Sequence, residues 1–141
     1  MARTHIEFPG HVDFSTSHTL VIGDINRANH LGVDRLFALI TEVQLQFFEA
    51  LEAGEPQTLF GAGYIMADSE AVYLGESQRG DRLVIDVAVC NFTSKGFEVY
   101  YRVQNETRQR QAALVKTGMV CLDVETGKPT QVPRDFTERY A

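Results

Sequence analysis

Val21-Ile-Gly-Asp-Ile-Asn-Arg-Ala-Asn-His-Leu-Gly-Val-Asp-Arg35 is the stretch from which the rest of the chain can be read. It runs as the end of a strand, then a polar turn carrying Asp24, Asn26, Asn29 and His30, then the start of a helix. In the helix, Val33, Leu36, Phe37, Ile40, Val43, Phe47 and Leu51 recur at steps of three and four and form one wide apolar stripe. Leu39, Leu45 and Phe48 fall outside that stripe, so the helix is apolar on more than one side. Such a helix is expected to be wrapped by other structure rather than laid on a surface. Side chains that handle protons therefore gather at the N-terminus of a buried helix, together with its free N–H groups and the positive end of its dipole.

Upstream, His18 to Gly23 reads as a short strand, and residues 1–17, polar and interrupted by Pro9-Gly10, as a loose arm. Downstream, the helix is expected from about Gly32 to Glu52, with a stop signal at Ala53-Gly54-Glu55-Pro56. Strand patterns then fill the chain: Tyr64 to Gly75, Leu83 to Phe92, Phe97 to Val103 and Ala113 to Val124. Leu83, Ile85, Val87 and Val89 share one face by alternation. Arg79-Gly80-Asp81 and Thr93 to Gly96 are turns, Asn105 to Gln111 is a polar hairpin tip, and 134–141 is a polar tail. One long helix followed by a meander of strands makes a single α+β domain over 1–141, with an antiparallel sheet of about five strands around the helix.

The chain has 141 residues, enough for one domain with a real core. A hydrophobic fraction of 44% and a charged fraction of 23% are those of a folded globular protein. A net charge of −6 disfavours nucleic acid or an anionic membrane as a general partner. Cys90 and Cys121 both lie in apolar strand-like runs and read as reduced, buried thiols of a cytoplasmic protein. His5, His11, His18 and His30 are scattered without metal-ligand spacing. Neither a signal-peptide run nor a stretch of transmembrane length is present in the sequence.

Several pieces then line up in order. Gly23-Asp24-Ile25-Asn26, Asn29-His30, Tyr73-Leu74 followed by Gly80-Asp81, and Lys116-Thr117-Gly118-Met119 together resemble the hotdog-fold acyl-CoA thioesterases. The resemblance covers roughly residues 18–133 and is nearest the branch that includes 4-hydroxybenzoyl-CoA thioesterase. It implies a hotdog fold, hydrolysis of an acyl-CoA thioester to an acid and free CoA, and no metal or redox cofactor. It also implies a dimer or dimer of dimers, with the pocket between two subunits.

One departure matters. The branch carries a second carboxylate in its Gly-Asp-x-Asp turn, acting as nucleophile or base, and this chain has Asn26 there. An amide neither ionises nor usefully takes up a proton, although it can orient a water or a carbonyl. His30 becomes the natural candidate base, because an imidazole titrates near neutrality. Asp24 is placed to orient it, and Glu42 is a further candidate if its helix face meets the pocket. The N–H groups of Gly32 and Val33 are candidate oxyanion donors at the helix start.

Asn29, Asp34, Met66 and Asp68 are candidate substrate contacts. Asp68 and Glu70 are expected to share a strand face with Met66 and Val72, either at a subunit edge or lining a pocket. Arg27, Arg35, Lys95, Arg102 and Lys116 are candidates for the CoA phosphates. Plainer roles compete with these. Asp24, Asn26 and Asn29 are favoured turn residues, His30 can bond a carbonyl, Asp34 suits the helix dipole, and Glu42 suits solvent. Two other functions also stay open. One is a hydratase of the same superfamily, whose Asp-x-Asn-Pro-x-His turn this chain matches without the Pro and with the His one residue later. The other is a non-catalytic acyl-CoA binder.

Overall fold

The computed structural model of the chain describes residues 4–51 and 57–141. Strand β1 (Phe14–Thr19) leads through a 3-10 turn at Ile22–Asp24 to helix α1 (Val33–Ala50). Strands β2 (Gly63–Tyr73), β3 (Arg82–Cys90), β4 (Gly96–Asn105) and β5 (Arg110–Leu122) follow, then a short helix α2 (Arg134–Tyr140). The strands form one antiparallel sheet in the order β1-β3-β4-β5-β2, so β1 and β2 are its edges.

The sheet bends round α1. Phe47 of the helix meets Phe14 of β1 at 5.6 Å, and Phe48 meets Tyr64 of β2 at 5.0 Å. The outer strands of a flat five-stranded sheet would stand about 19 Å apart, too wide for a single helix of roughly 10 Å to touch both. Leu36, Ile40, Val43 and Phe47 close onto the inner sheet face, where Leu83, Ile85, Val87 and Val89 are all fully buried. The stripe is rotated from the sequence reading. Leu39 and Phe48 join the core, Phe37 is only half-buried, and Val33 is 60% exposed. A polar side chain also enters the core: Gln44 donates to the Tyr101 hydroxyl at 3.0 Å. Burial pushes that phenol up to about 12.

Three local expectations are corrected. The first strand is Phe14–Thr19 rather than His18 to Gly23, and Val21 and Ile22 stand in solvent. Asp24 explains why, since its carboxylate accepts the Val21 N–H at 2.9 Å and draws the chain into the 3-10 turn. Nor are all of residues 1–17 a loose arm. Besides β1, Ile6 is buried, Phe8 lies 4.3 Å from the Arg102 guanidinium, and Asp13 accepts the Val89 N–H at 2.8 Å. The tail at 134–141 folds as α2, whose Phe136 is fully buried among Phe48, Phe60, Phe92 and Phe97. The expected helix stop at 53–56, like Glu52, lies outside the described residues; α1 ends at Ala50.

The second Gly-Asp turn has a structural task. Asp81 is buried and accepts from the Gln78 N–H (2.9 Å), Asn105 (2.9 Å) and Arg108 (2.8 Å). Burial alone would raise its pKa, but those donors outweigh it and hold the carboxyl below its ordinary value. Arg108 and Asn105 lie at or near the β4–β5 tip, so this carboxylate ties the tip to the turn before β3. Both cysteines are free thiols; burial pushes Cys121 up to about 11.

Candidate functional site

The two ends of α1 are finished differently. At its C-terminal end Phe47, Phe48, Phe136 and Tyr140 stack with centroids 5.3–6.2 Å apart, so that end is filled. At its N-terminal end a cavity of about 230 Å³ opens between the polar turn and the ends of β2 and β5. Its walls are Leu31, Leu36, Tyr73, Ala112 and Ala113, and its polar lining is His30, Glu76 and Ser77.

His30 is placed by the turn behind it. The Asn26 side-chain oxygen accepts the N–H groups of Ala28 (2.9 Å) and His30 (3.1 Å), and the Asn26 N–H donates to the His30 carbonyl at 2.8 Å. The Asn26 carbonyl accepts the Asn29 N–H at 3.0 Å, with Asn29 in the left-handed region at φ 61°. A short polar side chain tolerates that conformation better than most. Asn26 and Asn29 are thus the frame of the loop, and His30 is what the frame presents. The His30 Nε2 lies 3.2 Å from a carboxylate oxygen of Glu76. The Leu31 N–H donates to the Ser77 carbonyl at 2.9 Å, which holds the two loops side by side.

Asp24 is engaged elsewhere. It pairs with His18 Nε2 at 2.9 Å as well as with the Val21 N–H. Burial raises its pKa, but these two partners, with the charge of Arg35, outweigh burial and keep it below the ordinary value. It therefore orients His18, not His30. The Gly32 N–H donates to the Asp24 carbonyl at 3.1 Å, which removes it from the pair of expected oxyanion donors. The Val33 N–H, first in the helix, has no intrahelical acceptor, but Val33 is 60% exposed and is not among the residues that line the cavity. Asp34 is exposed beside Arg35 and does not line the cavity.

Glu42 accepts from Gln46 at 2.9 Å, and Gln46 in turn accepts from Thr16 of β1 at 2.8 Å. Glu42 is thus on the β1 side of α1, away from Tyr73 and the cavity. Met66 and Asp68 do not share a strand face. A bulge between them pairs Met66 with inward-facing Met119 and Asp68 with outward-facing Gly118. Met66 stands toward the far end of β2 from Tyr73, roughly 23 Å along an extended strand, and Asp68 at its middle, roughly 16 Å away.

Of the basic candidates, Arg102 is tied to Asp86 (2.8 Å) and Lys116 to Glu98 (3.3 Å) on the outer sheet face. Lys95 lines a groove on that face with Asp68, and Arg27 is exposed on the turn. Arg110, which sequence reasoning passed over, lies against Gly75 and donates to the Glu76 carbonyl. A side chain at Gly75 would meet the Gln111 carbonyl at 2.8 Å, so glycine is what lets this lip close. Glu76, Tyr73, Ala112 and Ala113 were also passed over. They come to His30 from more than forty residues away, with no local pattern to mark them.

Three solved structures illustrate the fold. A 1,4-dihydroxy-2-naphthoyl-CoA thioesterase from Synechocystis superposes with a TM-score of 0.70 at 13% identity, over 88% of this chain and 92% of that one. A Staphylococcus aureus protein solved in complex with CoA gives 0.79 at 14% identity, over 96% and 85%. A thioesterase-superfamily protein from Jannaschia gives 0.77 at 17% identity, over 89% and 79%. The fold is the hotdog arrangement of these proteins. No curated protein matches in sequence. A sequence profile of the Thioesterase-like superfamily matches residues 20–140, and the chain belongs to that superfamily.

Proposed function

We propose that the chain hydrolyses an acyl-CoA thioester, releasing a carboxylic acid and free CoA, with His30 as the general base. The observation that carries this is the His30–Glu76 pair, 3.2 Å apart, at the mouth of an apolar cavity at the N-terminal end of α1. With Nε2–H donated to Glu76, the imidazole lone pair lies on Nδ1. A water that gives its proton to Nδ1 attacks the thioester carbonyl carbon. The positive end of the α1 dipole stabilises the oxyanion that forms. Collapse of the tetrahedral intermediate breaks the C–S bond, and the CoA thiolate leaves and takes the proton back from the imidazolium. Glu76 orients the ring through Nε2, and Asn26 holds the backbone of His30 in place. Membership in the superfamily and the CoA complex of the Staphylococcus aureus neighbour support a CoA thioester as the substrate. No helix among the described residues is long and apolar enough to cross a membrane.

We further infer that the working form is a dimer joined through β2, acting in the cytoplasm. An antiparallel pairing of β2 with its own copy would bring the Met66 end of one strand toward the Tyr73 end of the other. That is how Met66 would reach a substrate.

Thiol release from a panel of acyl-CoAs, with enoyl absorbance followed in parallel, tests the reading. Thioesterase activity releases CoA; a hydratase changes the enoyl absorbance without release; a binding protein does neither. His30→Ala is expected to lower kcat by roughly 10²–10⁴-fold. Asn26→Asp is expected to leave activity intact or raise it, because a carboxylate oxygen can accept the same two N–H groups. An unchanged rate in His30→Ala would remove His30 from the chemistry.

A further inference from the structure

We propose that the cavity beside His30 selects a compact acyl group, one ring or a chain of up to about nine carbons, and rejects long fatty chains. Ala112 and Ala113 set that limit. The inference rests on the thioesterase reading of the same cavity and adds to it the class of substrate.

Volume is the first argument. An apolar cavity of about 150 Å³ accepts benzene, so the roughly 230 Å³ here holds about half as much again. The second argument is what lies behind the cavity. Below Leu36 the helix continues into Ile40 and Val43, and beside Ala113 the sheet continues into Val103 and Val115, all at most 1% exposed. Among the described residues that close packing continues under α1, and the far end of the helix is filled by the Phe136 cluster. A longer chain would have to displace packed core side chains to enter.

The third argument is sequence pattern. The inner hydrophobic positions of β3 and β4 carry Leu, Ile, Val, Phe and Tyr, whereas the first buried positions of β5 are two alanines, Ala112 and Ala113, at 4% and 2% exposure. Ala112 is the extra residue of a β5 bulge, between Gln111 opposite Gln104 and Ala113 opposite Val103. Both alanines therefore turn toward the cavity. Their missing methyl groups are the space the acyl group would take. Tyr73, in register with Ala113, stands beside it on the same sheet face and extends that wall.

The experiment measures kcat/KM for acetyl-, hexanoyl-, benzoyl-, dodecanoyl- and palmitoyl-CoA. It also measures, by calorimetry, binding of the non-hydrolysable thioethers hexyl-CoA and dodecyl-CoA. We expect hexanoyl- or benzoyl-CoA to exceed dodecanoyl- and palmitoyl-CoA at least tenfold in kcat/KM, and hexyl-CoA to bind at least tenfold more tightly than dodecyl-CoA. Each methylene that fits such a pocket is worth roughly tenfold or more. Ala113→Leu should reduce the hexanoyl-to-acetyl ratio at least tenfold, and Ala112→Val should act in the same direction if the leucine variant does not fold.

Preference for the long chains, or a ratio unmoved by either substitution in a folded protein, overturns the proposal while leaving the thioesterase reading intact. If no acyl-CoA releases thiol, the thioesterase reading fails and the thioether affinities alone decide. Tighter hexyl-CoA binding then upholds the size limit, and equal, reversed or absent binding overturns it.

Discussion

Asn26 and Asp81 show how one kind of turn is put to two uses. In both, a side-chain oxygen gathers backbone donors, Ala28 and His30 for Asn26 and Gln78 for Asp81. At Asn26 the amide suffices, because both donors are neutral N–H groups and the residue is exposed. At Asp81 the oxygen also takes Arg108 and Asn105 in a buried site, where only a carboxylate balances the guanidinium. Asp81→Ala is therefore expected to cost about 3 kcal/mol of stability, read by urea denaturation.

The pH dependence has a definite sign. Asp81 is held below its ordinary pKa in the fold, so its contribution is complete above the unfolded value of about 3.9. It is lost as pH falls through the lower, folded value. The gap between wild type and Asp81→Ala should therefore narrow below about pH 4; a gap that stayed constant to pH 2 would contradict the assignment.

At the scale of elements, α1 is held by residues the 3.6 period named and by others it did not. Ile40 is fully buried, and Ile40→Ala is expected to cost roughly 2–5 kcal/mol in thermal or chemical unfolding. Phe37, on the same sequence stripe, is half-buried near the cavity end, and Phe37→Ala is expected to cost about 1 kcal/mol. Equal losses at the two positions would mean that the helix is rotated from the arrangement described. The two helix ends also divide the labour. Aromatic packing from α2 seals one, and the turn carrying His30 leaves the other open.

At the scale of the molecule, β2 is an edge strand with residues 65–70 all exposed, among them Ile65 at 49% and Met66 at 37%. Such an edge presents unpaired N–H and C=O groups and invites pairing with a second copy. A dimer at micromolar concentration is expected in sedimentation velocity, and a stable monomer there would remove both the β2 pairing and the shared pocket. Much of this layout was legible in the chain. The long helix, the four strands after it and the buried row Leu83, Ile85, Val87 and Val89 follow from periods of 3.6 and 2, because burial of one face imposes those periods locally. The turn residues of 24–30 were legible for the same reason, since Asn and Asp act on neighbours in sequence. β1 was misplaced because its inward face offers only Phe14, Thr16 and His18, too little apolar signal beside the exposed Val21-Ile22. The bulge at Met66/Asp68 was hidden because one extra residue changes which face a side chain takes without changing the composition. Which carboxylate meets His30 was decided only by tertiary structure. Asp24 is six residues away in sequence but is held by His18, while Glu76 is brought in by the closing of the sheet around α1.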